Sequence, residues 1–225
     1  MRIVFPALIL GAALAIGLST AQADGVTGGH GVTYNVTITN LTVGESFTPF
    51  LIASHRPADN LMFTLGGPPS DELAALAEGG DTGPLKAALD ADGRVNTTTT
   101  SAGLLDPGKS VTIPIQARPG LERISLAAML IPTNDGFVSV QNVHVPFGFH
   151  AATLYAPAYD AGSEPNDELC VSIPGPVCGG QGGSPGAGGE GFVHIHPGIH
   201  GIGDLKPAER DWRNPVAKIV IERAH

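Results

Sequence analysis

The chain has 225 residues, a formal net charge of −9, 31 glycines, 19 prolines and only 15% charged residues. Its 12 lysines and arginines form no basic patch, which argues against nucleic acid as a partner. The many turn-forming residues favour an antiparallel β-sandwich or barrel, and the acidic balance suits cations as partners.

The first segment has the pattern of a secretory signal peptide. Arg2 supplies a positive charge, residues 3–18 are apolar or small, and Ala21-Gln22-Ala23 offers the small-x-small pattern of a cleavage site. A membrane anchor is the alternative, but the apolar run is shorter than the roughly 20 residues that a spanning helix needs. We therefore expect cleavage of residues 1–23 and a secreted or periplasmic domain at 24–225. No second long apolar run follows, so no membrane span is expected after cleavage.

Strand and helix patterns alternate through the first half of the mature chain. Strands are predicted where apolar and β-branched residues recur, and helices where a cap or a proline precedes an apolar face. The predicted elements are strands at Thr33–Asn40 and Phe47–Ser54, then helices at Ser70–Ala77 and Pro84–Leu89.

The second half reads almost entirely as strands and loops. Predicted strands lie at Val95–Ser101, Lys109–Ala117, Arg123–Ile131, Phe137–Val145, Gly191–Ile195 and Val216–Glu222. Residues 175–191 are mostly Gly, Pro, Ser and Ala and are predicted to form a loop. The expected fold is one antiparallel β-sandwich with two short inserted helices.

The two cysteines, Cys170 and Cys178, lie close together in a Pro- and Gly-rich stretch. In an exported protein they are expected to form a disulfide. Two free thiols are the alternative. A zinc site made by this pair alone is disfavoured, because the spacing differs from a Cys-x2-Cys knuckle.

Two acidic motifs follow predicted strands. Asp135 lies in Asn134-Asp135-Gly136, and Asp160 and Glu164 lie in Tyr159-Asp160-Ala161-Gly162-Ser163-Glu164. Loops of this kind can supply the oxygen ligands that calcium prefers. The same residues are also compatible with an ordinary hairpin turn and an Asx turn.

At these motifs the chain resembles the spondin N-terminal domain family, the module of F-spondin and mindin and of stand-alone exported bacterial proteins. The resemblance covers nearly all of the mature chain. It is carried by residues 34–41, by 130–138 (Leu-Ile-Pro-Thr-Asn-Asp-Gly-Phe-Val), by 159–164 and by 217–223 (Ala-Lys-Ile-Val-Ile-Glu-Arg).

The resemblance implies a β-sandwich of C2-like topology and a calcium site formed by Asp135, Asp160 and Glu164. Two positions depart from the family pattern. Gly136 separates Asp135 from Phe137, whereas the animal modules place the aromatic residue directly after the aspartate, and Glu164 stands where an aspartate is more usual. The reelin-type and thrombospondin-type neighbours of the animal proteins are absent from this sequence, so their matrix and integrin roles do not follow.

A histidine cluster forms a second candidate metal site. His194 and His196 are expected on the same side of a strand, and His200 follows one turn later. Three imidazoles can bind zinc or copper, and Glu190 is a candidate base for a metalloenzyme. The alternative is that these histidines hydrogen-bond to loop carbonyls. The resemblance gives this segment no metal role.

The sequence has no nucleophile elbow and no phosphate-binding loop before a helix. We therefore expect a calcium-binding module that mediates adhesion or binds an extracellular protein or glycan, rather than an enzyme. A histidine-cluster metalloenzyme is the competing hypothesis, and a purely structural exported protein is a third.

Overall fold

The computed structural model describes Met1, residues 31–184 and residues 188–225. Apart from Met1, the predicted signal peptide at 1–23 lies outside the described residues. No helix among the described residues is long and apolar enough to cross a bilayer.

Eleven strands in the described residues form two antiparallel sheets. In chain order the strands are β1 (Val32–Asn40), β2 (Ser46–Phe47), β3 (Leu51–His55), β4 (Val95–Thr100), β5 (Ser110–Ala117), β6 (Arg123–Ile131), β7 (Gly136–His144), β8 (Ala151–Ala156), β9 (Ala158–Asp160), β10 (His194–Ile195) and β11 (Ala217–Arg223). The α-helices are α1 (Asp71–Gly79), α2 (Gly83–Ala91), α3 (Gly175–Cys178) and α4 (Pro207–Arg210). The predicted antiparallel sandwich with two inserted helices is confirmed.

The smaller sheet has the strand order β5-β1-β11-β8. Strand β1 alternates buried and half-buried residues along its length, which matches the period of two expected of a strand with one face on a core. Val36 and Ile38 face inward and lie beside Ile221 and Ile219 of β11 in the register. This face forms one side of the main core.

The larger sheet has the order β10-β9-β7-β6-β3-β4, with β2 also pairing with β6. Strand β6 is buried on both faces. Ile124, Leu126 and Leu130 pack into the main core between the sheets, whereas Ala127 packs on the opposite side against α1 and α2 through residues that include Leu73 and Leu85. The two inserted helices therefore cover the outer face of the larger sheet.

Local signals set the ends of α1. The Ser70 hydroxyl accepts a hydrogen bond from the Leu73 N–H at 3.2 Å, so Ser70 caps the first turn. Gly80 ends the helix with φ at 68°, a left-handed conformation that glycine adopts without a steric penalty.

The structure also contains strands that the sequence did not predict. Strands β8 and β9 lie between Val145 and Cys170, where no element was expected. The predicted strand at Phe47–Ser54 is divided into β2 and β3 around Pro49, and the predicted strand at Gly191–Ile195 is reduced to β10. The predicted loop at 175–191 begins with α3.

The predicted disulfide between Cys170 and Cys178 is confirmed. It closes a loop with a sequence separation of 8, next to the Gly-rich segment. Replacing both cysteines with serine should lower the free energy of unfolding by about 2–3 kcal/mol, because the unfolded chain regains the entropy of the open loop. Chemical denaturation of the oxidised wild type and the double variant measures the difference, and wild type under reducing conditions should match the variant. Equal midpoints for all three samples would contradict this expectation.

Candidate metal-binding site

Three strands at one edge of the larger sheet place the candidate ligands next to one another. Asp160, the last residue of β9, pairs with Gly136 of β7 on one side and with His194 of β10 on the other. The register therefore brings the acidic motifs and the histidine segment together. These two groups are far apart in sequence, and their motifs taken alone predict two separate sites.

Asp135 is fully buried just before β7. Its Oδ2 accepts hydrogen bonds from the Ser163 N–H at 2.7 Å, the Ser163 hydroxyl at 3.2 Å and the Glu164 N–H at 3.0 Å. Its Oδ1 is buried without a hydrogen-bond partner. Burial, followed by the negative charge of Asp160, raises the pKa of Asp135 to about 7. Asp135 thus fixes the Ser163–Glu164 backbone and keeps one oxygen free.

Asp160 is also fully buried. Its Oδ1 accepts a hydrogen bond from the Gly162 N–H at 2.7 Å, and its Oδ2 accepts one from the Asn166 side-chain amide at 2.6 Å. The same carboxylate faces both imidazoles: His194 Nε2 lies 3.4 Å from Oδ1 and His196 Nε2 lies 3.9 Å from Oδ2. Burial raises the pKa of Asp160 above its ordinary value.

Glu164 is buried, and neither of its carboxylate oxygens has a hydrogen-bond partner. Burial raises its pKa to about 7, and the negative charges of Glu78 and Asp167 act in the same direction. The Glu164 backbone N–H donates to Asp135. The acidic residues whose charges act on the Glu164 carboxyl group are Glu78 and Asp167, and Asp160 is not among them.

One group of three acidic or imidazole side chains in the described residues is arranged to hold a metal ion. It consists of Asp160, Glu190 and His194, and one ligand atom from each lies within 4.8 Å of the others. Asp135 and Glu164 are not members of this group; the charge of Asp160 acts on Asp135, whereas the charges that act on Glu164 are those of Glu78 and Asp167. A group that could hold a metal ion is therefore present, with Asp160 buried, His194 half-buried and Glu190 exposed.

The histidines differ in environment. His194 is half-buried and its Nδ1 lies 3.0 Å from the Ile195 carbonyl oxygen. Burial acts to lower the pKa of His194, but the hydrogen bond to Ile195 and the charges of Asp160 and Glu190 raise it above its usual value. His196 is buried, and burial together with the nearby His194 lowers its pKa to about 3. His200 is exposed and contributes its backbone N–H to Glu168.

Gly136, which departs from the spondin family pattern, is required by its local surroundings. A Cβ at Gly136 would lie 2.7 Å from the Thr133 hydroxyl oxygen and 2.9 Å from Cδ2 of His196. Both distances are shorter than van der Waals contact, so no larger residue fits beside His196. The unusual spacing in the first acidic motif thus accompanies the buried histidine.

Two residues that support the site were not predicted from the sequence. The Asn166 amide donates to Asp160 and, at 3.3 Å, to Oε1 of Glu190. The carboxylate of Glu168 accepts hydrogen bonds from three consecutive backbone N–H groups, those of residues 200–202. Asn166 lies only two residues beyond the second acidic motif, which is the one signal in the sequence that could have identified it.

No protein-family model matches the chain, and no curated protein matches it significantly.

Proposed function

We propose that this chain is an exported, calcium-binding β-sandwich module of the spondin type that binds an extracellular protein or glycan. The observation that carries the proposal is that Asp135, Asp160 and Glu164 are all buried, and that Asp135 and Glu164 keep carboxylate oxygens without hydrogen-bond partners. Within the described residues, no lysine or arginine forms an ion pair with any of the three.

Buried carboxylates without a positive partner are unfavourable. An ionised group loses its hydration on burial, and that loss must be offset by a counter-charge, by hydrogen bonds or by protonation. Burial raises the pKa values of Asp135 and Glu164 to about 7, which is the direction expected when ionisation is disfavoured. A divalent cation would offset this unfavourable burial by supplying two positive charges to the free oxygens.

Calcium suits these donors better than magnesium does. The free oxygens belong to Asp135 and Glu164, which lie on loops, and calcium accepts six to eight oxygen ligands in a flexible arrangement. Magnesium requires a tight octahedron and loses its water reluctantly. The resemblance to spondin N-terminal domains, which rests on the same two motifs, supports the same ion.

The surface beside the loops is suited to a partner. Phe192 and Ile195 flank His194 and are exposed, and β10 lies at the edge of the larger sheet. An ion that fixes the loops would also fix this edge. We assign the module a binding role rather than a catalytic one, and expect capture of the partner from an extracellular extract to be lost when a chelator is added.

Calcium titration tests the proposal directly. Chelator-treated wild type should bind calcium, and its melting temperature should rise, since at 100 times the dissociation constant a ligand adds about 2.7 kcal/mol to the folded state. Asp135→Asn keeps an oxygen for the Ser163 and Glu164 N–H groups but loses the charge. Its calcium affinity should therefore fall at least about tenfold, which corresponds to about 1.4 kcal/mol.

The matched control is Asp81→Asn. Asp81 is exposed and caps a neighbouring turn by accepting a hydrogen bond from the Gly83 N–H at 2.8 Å. This variant should bind calcium as wild type does, because the charge change lies outside the site. Calorimetry that finds no calcium bound to wild type, or the same affinity in Asp135→Asn, would refute the proposal.

A further inference from the structure

The group formed by Asp160, Glu190 and His194 has distances suited to a small ion. His194 Nε2 lies 3.4 Å from Asp160 Oδ1 and 3.8 Å from Glu190 Oε2. Two ligands bound at about 2.1 Å to a tetrahedral zinc ion lie about 3.4 Å apart. The two distances from His194 are therefore close to the spacing that such an ion requires, and the ligand atoms of Asp160 and Glu190 lie within 4.8 Å of each other.

The hydrogen bond of His194 leaves a lone pair directed into this group. Its Nδ1 lies 3.0 Å from the Ile195 carbonyl oxygen, and a carbonyl only accepts, so Nδ1 carries the hydrogen. Nε2 is then an acceptor, and it is buried without a hydrogen-bond partner. A lone pair facing two carboxylates is stabilised only by a cation between them, either a proton or a metal ion.

His196 has the opposite tautomer. Its Nδ1 accepts a hydrogen bond from the Gly198 N–H at 3.0 Å, so the hydrogen of the neutral ring is on Nε2. That nitrogen is buried, has no hydrogen-bond partner and faces Asp160 Oδ2 at 3.9 Å. At 3.9 Å this N–H makes no hydrogen bond to Asp160, and with its hydrogen on Nε2 the neutral His196 offers no lone pair to a metal ion at Asp160.

We propose that Asp160, Glu190 and His194 bind a transition-metal ion of the zinc class. One imidazole nitrogen and two carboxylates suit zinc or a similar divalent ion, whereas calcium prefers oxygen alone. The side chain of Glu190 is 36% exposed, so solvent can complete the coordination from this side. The site goes beyond the calcium module, because it requires neither Asp135 nor Glu164 and shares only Asp160 with it.

Metal titration of the chelator-treated full chain tests this site. Wild type should bind one zinc ion per chain by calorimetry, and a bound cobalt ion should give the visible absorption of a site with low coordination number. His194→Ala should lower zinc affinity at least about 100-fold, because one of three protein ligands is lost. His200→Ala is the matched control, because His200 is exposed and outside the group, and it should bind zinc as wild type does.

The variant at Asp135 separates this proposal from the calcium module. Asp135→Asn should keep its zinc affinity while losing calcium affinity, and His194→Ala should do the reverse. Wild type that binds no zinc, or His194→Ala that binds zinc as tightly as wild type, would overturn the zinc site and leave the calcium result unaffected. Loss of zinc in His200→Ala would also overturn it, since a different set of histidines would then hold the ion.

Discussion

Replacing Phe137 with alanine is expected to lower the free energy of unfolding by about 3–5 kcal/mol, the usual loss for a fully buried phenylalanine. Phe137 is 0% exposed. Its ring makes an edge contact with Phe63 at 5.1 Å between centroids and stacks on Tyr159 at 5.5 Å. The substitution removes both contacts and leaves a cavity in the cluster on the outer face of the larger sheet, where Phe137 packs with Phe63 and Tyr159.

Denaturant unfolding measures this loss, and Phe149→Ala is the matched control. Phe149 is 77% exposed, so removing its ring should change stability by less than about 1 kcal/mol. Because Phe137 and Tyr159 are the immediate neighbours of Gly136 and Asp160, the Phe137 variant should also bind metal more weakly. Equal unfolding midpoints for the two variants would show that the contacts of Phe137 with Phe63 and Tyr159 do not stabilise the folded protein.

A second large effect is expected from Glu45, in the loop between β1 and β2. Glu45 is fully buried, and neither carboxylate oxygen has a hydrogen-bond partner. Burial raises its pKa to about 8, although the positive charge of Arg210 acts in the opposite direction. The folded protein therefore holds a proton on Glu45 at neutral pH that the unfolded chain has released.

The sign of the pH dependence follows from this difference. The proton bound to Glu45 contributes to the free energy of unfolding. This contribution is fully present below the ordinary pKa of about 4.5, falls as the pH rises from there, and is lost once the pH passes about 8. At pH 7 the loss amounts to about 3 kcal/mol, because each pH unit between the two pKa values corresponds to about 1.4 kcal/mol. Wild type should thus lose stability between pH 4.5 and pH 8 through this residue.

The variant Glu45→Gln removes the titration while keeping the shape. Its stability relative to wild type should improve by about 3 kcal/mol between pH 4.5 and pH 7, which corresponds to several degrees in melting temperature for a chain of this size. The metal-site carboxylates titrate equally in both proteins, so the difference isolates Glu45. Glu209→Gln, at an exposed position, is the control, and parallel pH profiles for wild type and Glu45→Gln would exclude a buried protonated Glu45.

The fold was largely predictable from side-chain periodicity. The alternation in β1 indicates a strand with one buried face, and the continuous apolar run in β6 indicates a strand buried on both faces. Strand β8 was missed because Ala151–Ala156 contains three alanines and exposes every second residue, so its alternation has little apolar contrast. Strand β9 has only three residues, which is too short for a periodic signal.

The candidate site was only partly predictable. The sequence predicted Asp160 as a calcium ligand and His194 as part of a separate histidine site, because carboxylates and imidazoles are common metal ligands. It did not join them, because β9 and β10 pair across a long segment that includes the Gly-rich stretch, and no local pattern encodes this pairing. The tautomers of His194 and His196 depend on which backbone groups they meet, and those contacts exist only in the folded chain.

The pairing of β1 with β11 has a consequence for how the protein is made. Tyr34 lies opposite Arg223 in the register, so one of the first described strands depends on one of the last. A nascent chain emerging from its N-terminus can pair β1 with β5 but not with β11, and the inner face carrying Val36 and Ile38 stays incompletely covered until β11 has emerged. Contacts of such long sequence separation form slowly and leave strand edges open in the meantime. Completion of this sheet therefore waits for β11, and a chain that stops short of β11 exposes the edges of both β1 and β8 to association with other chains.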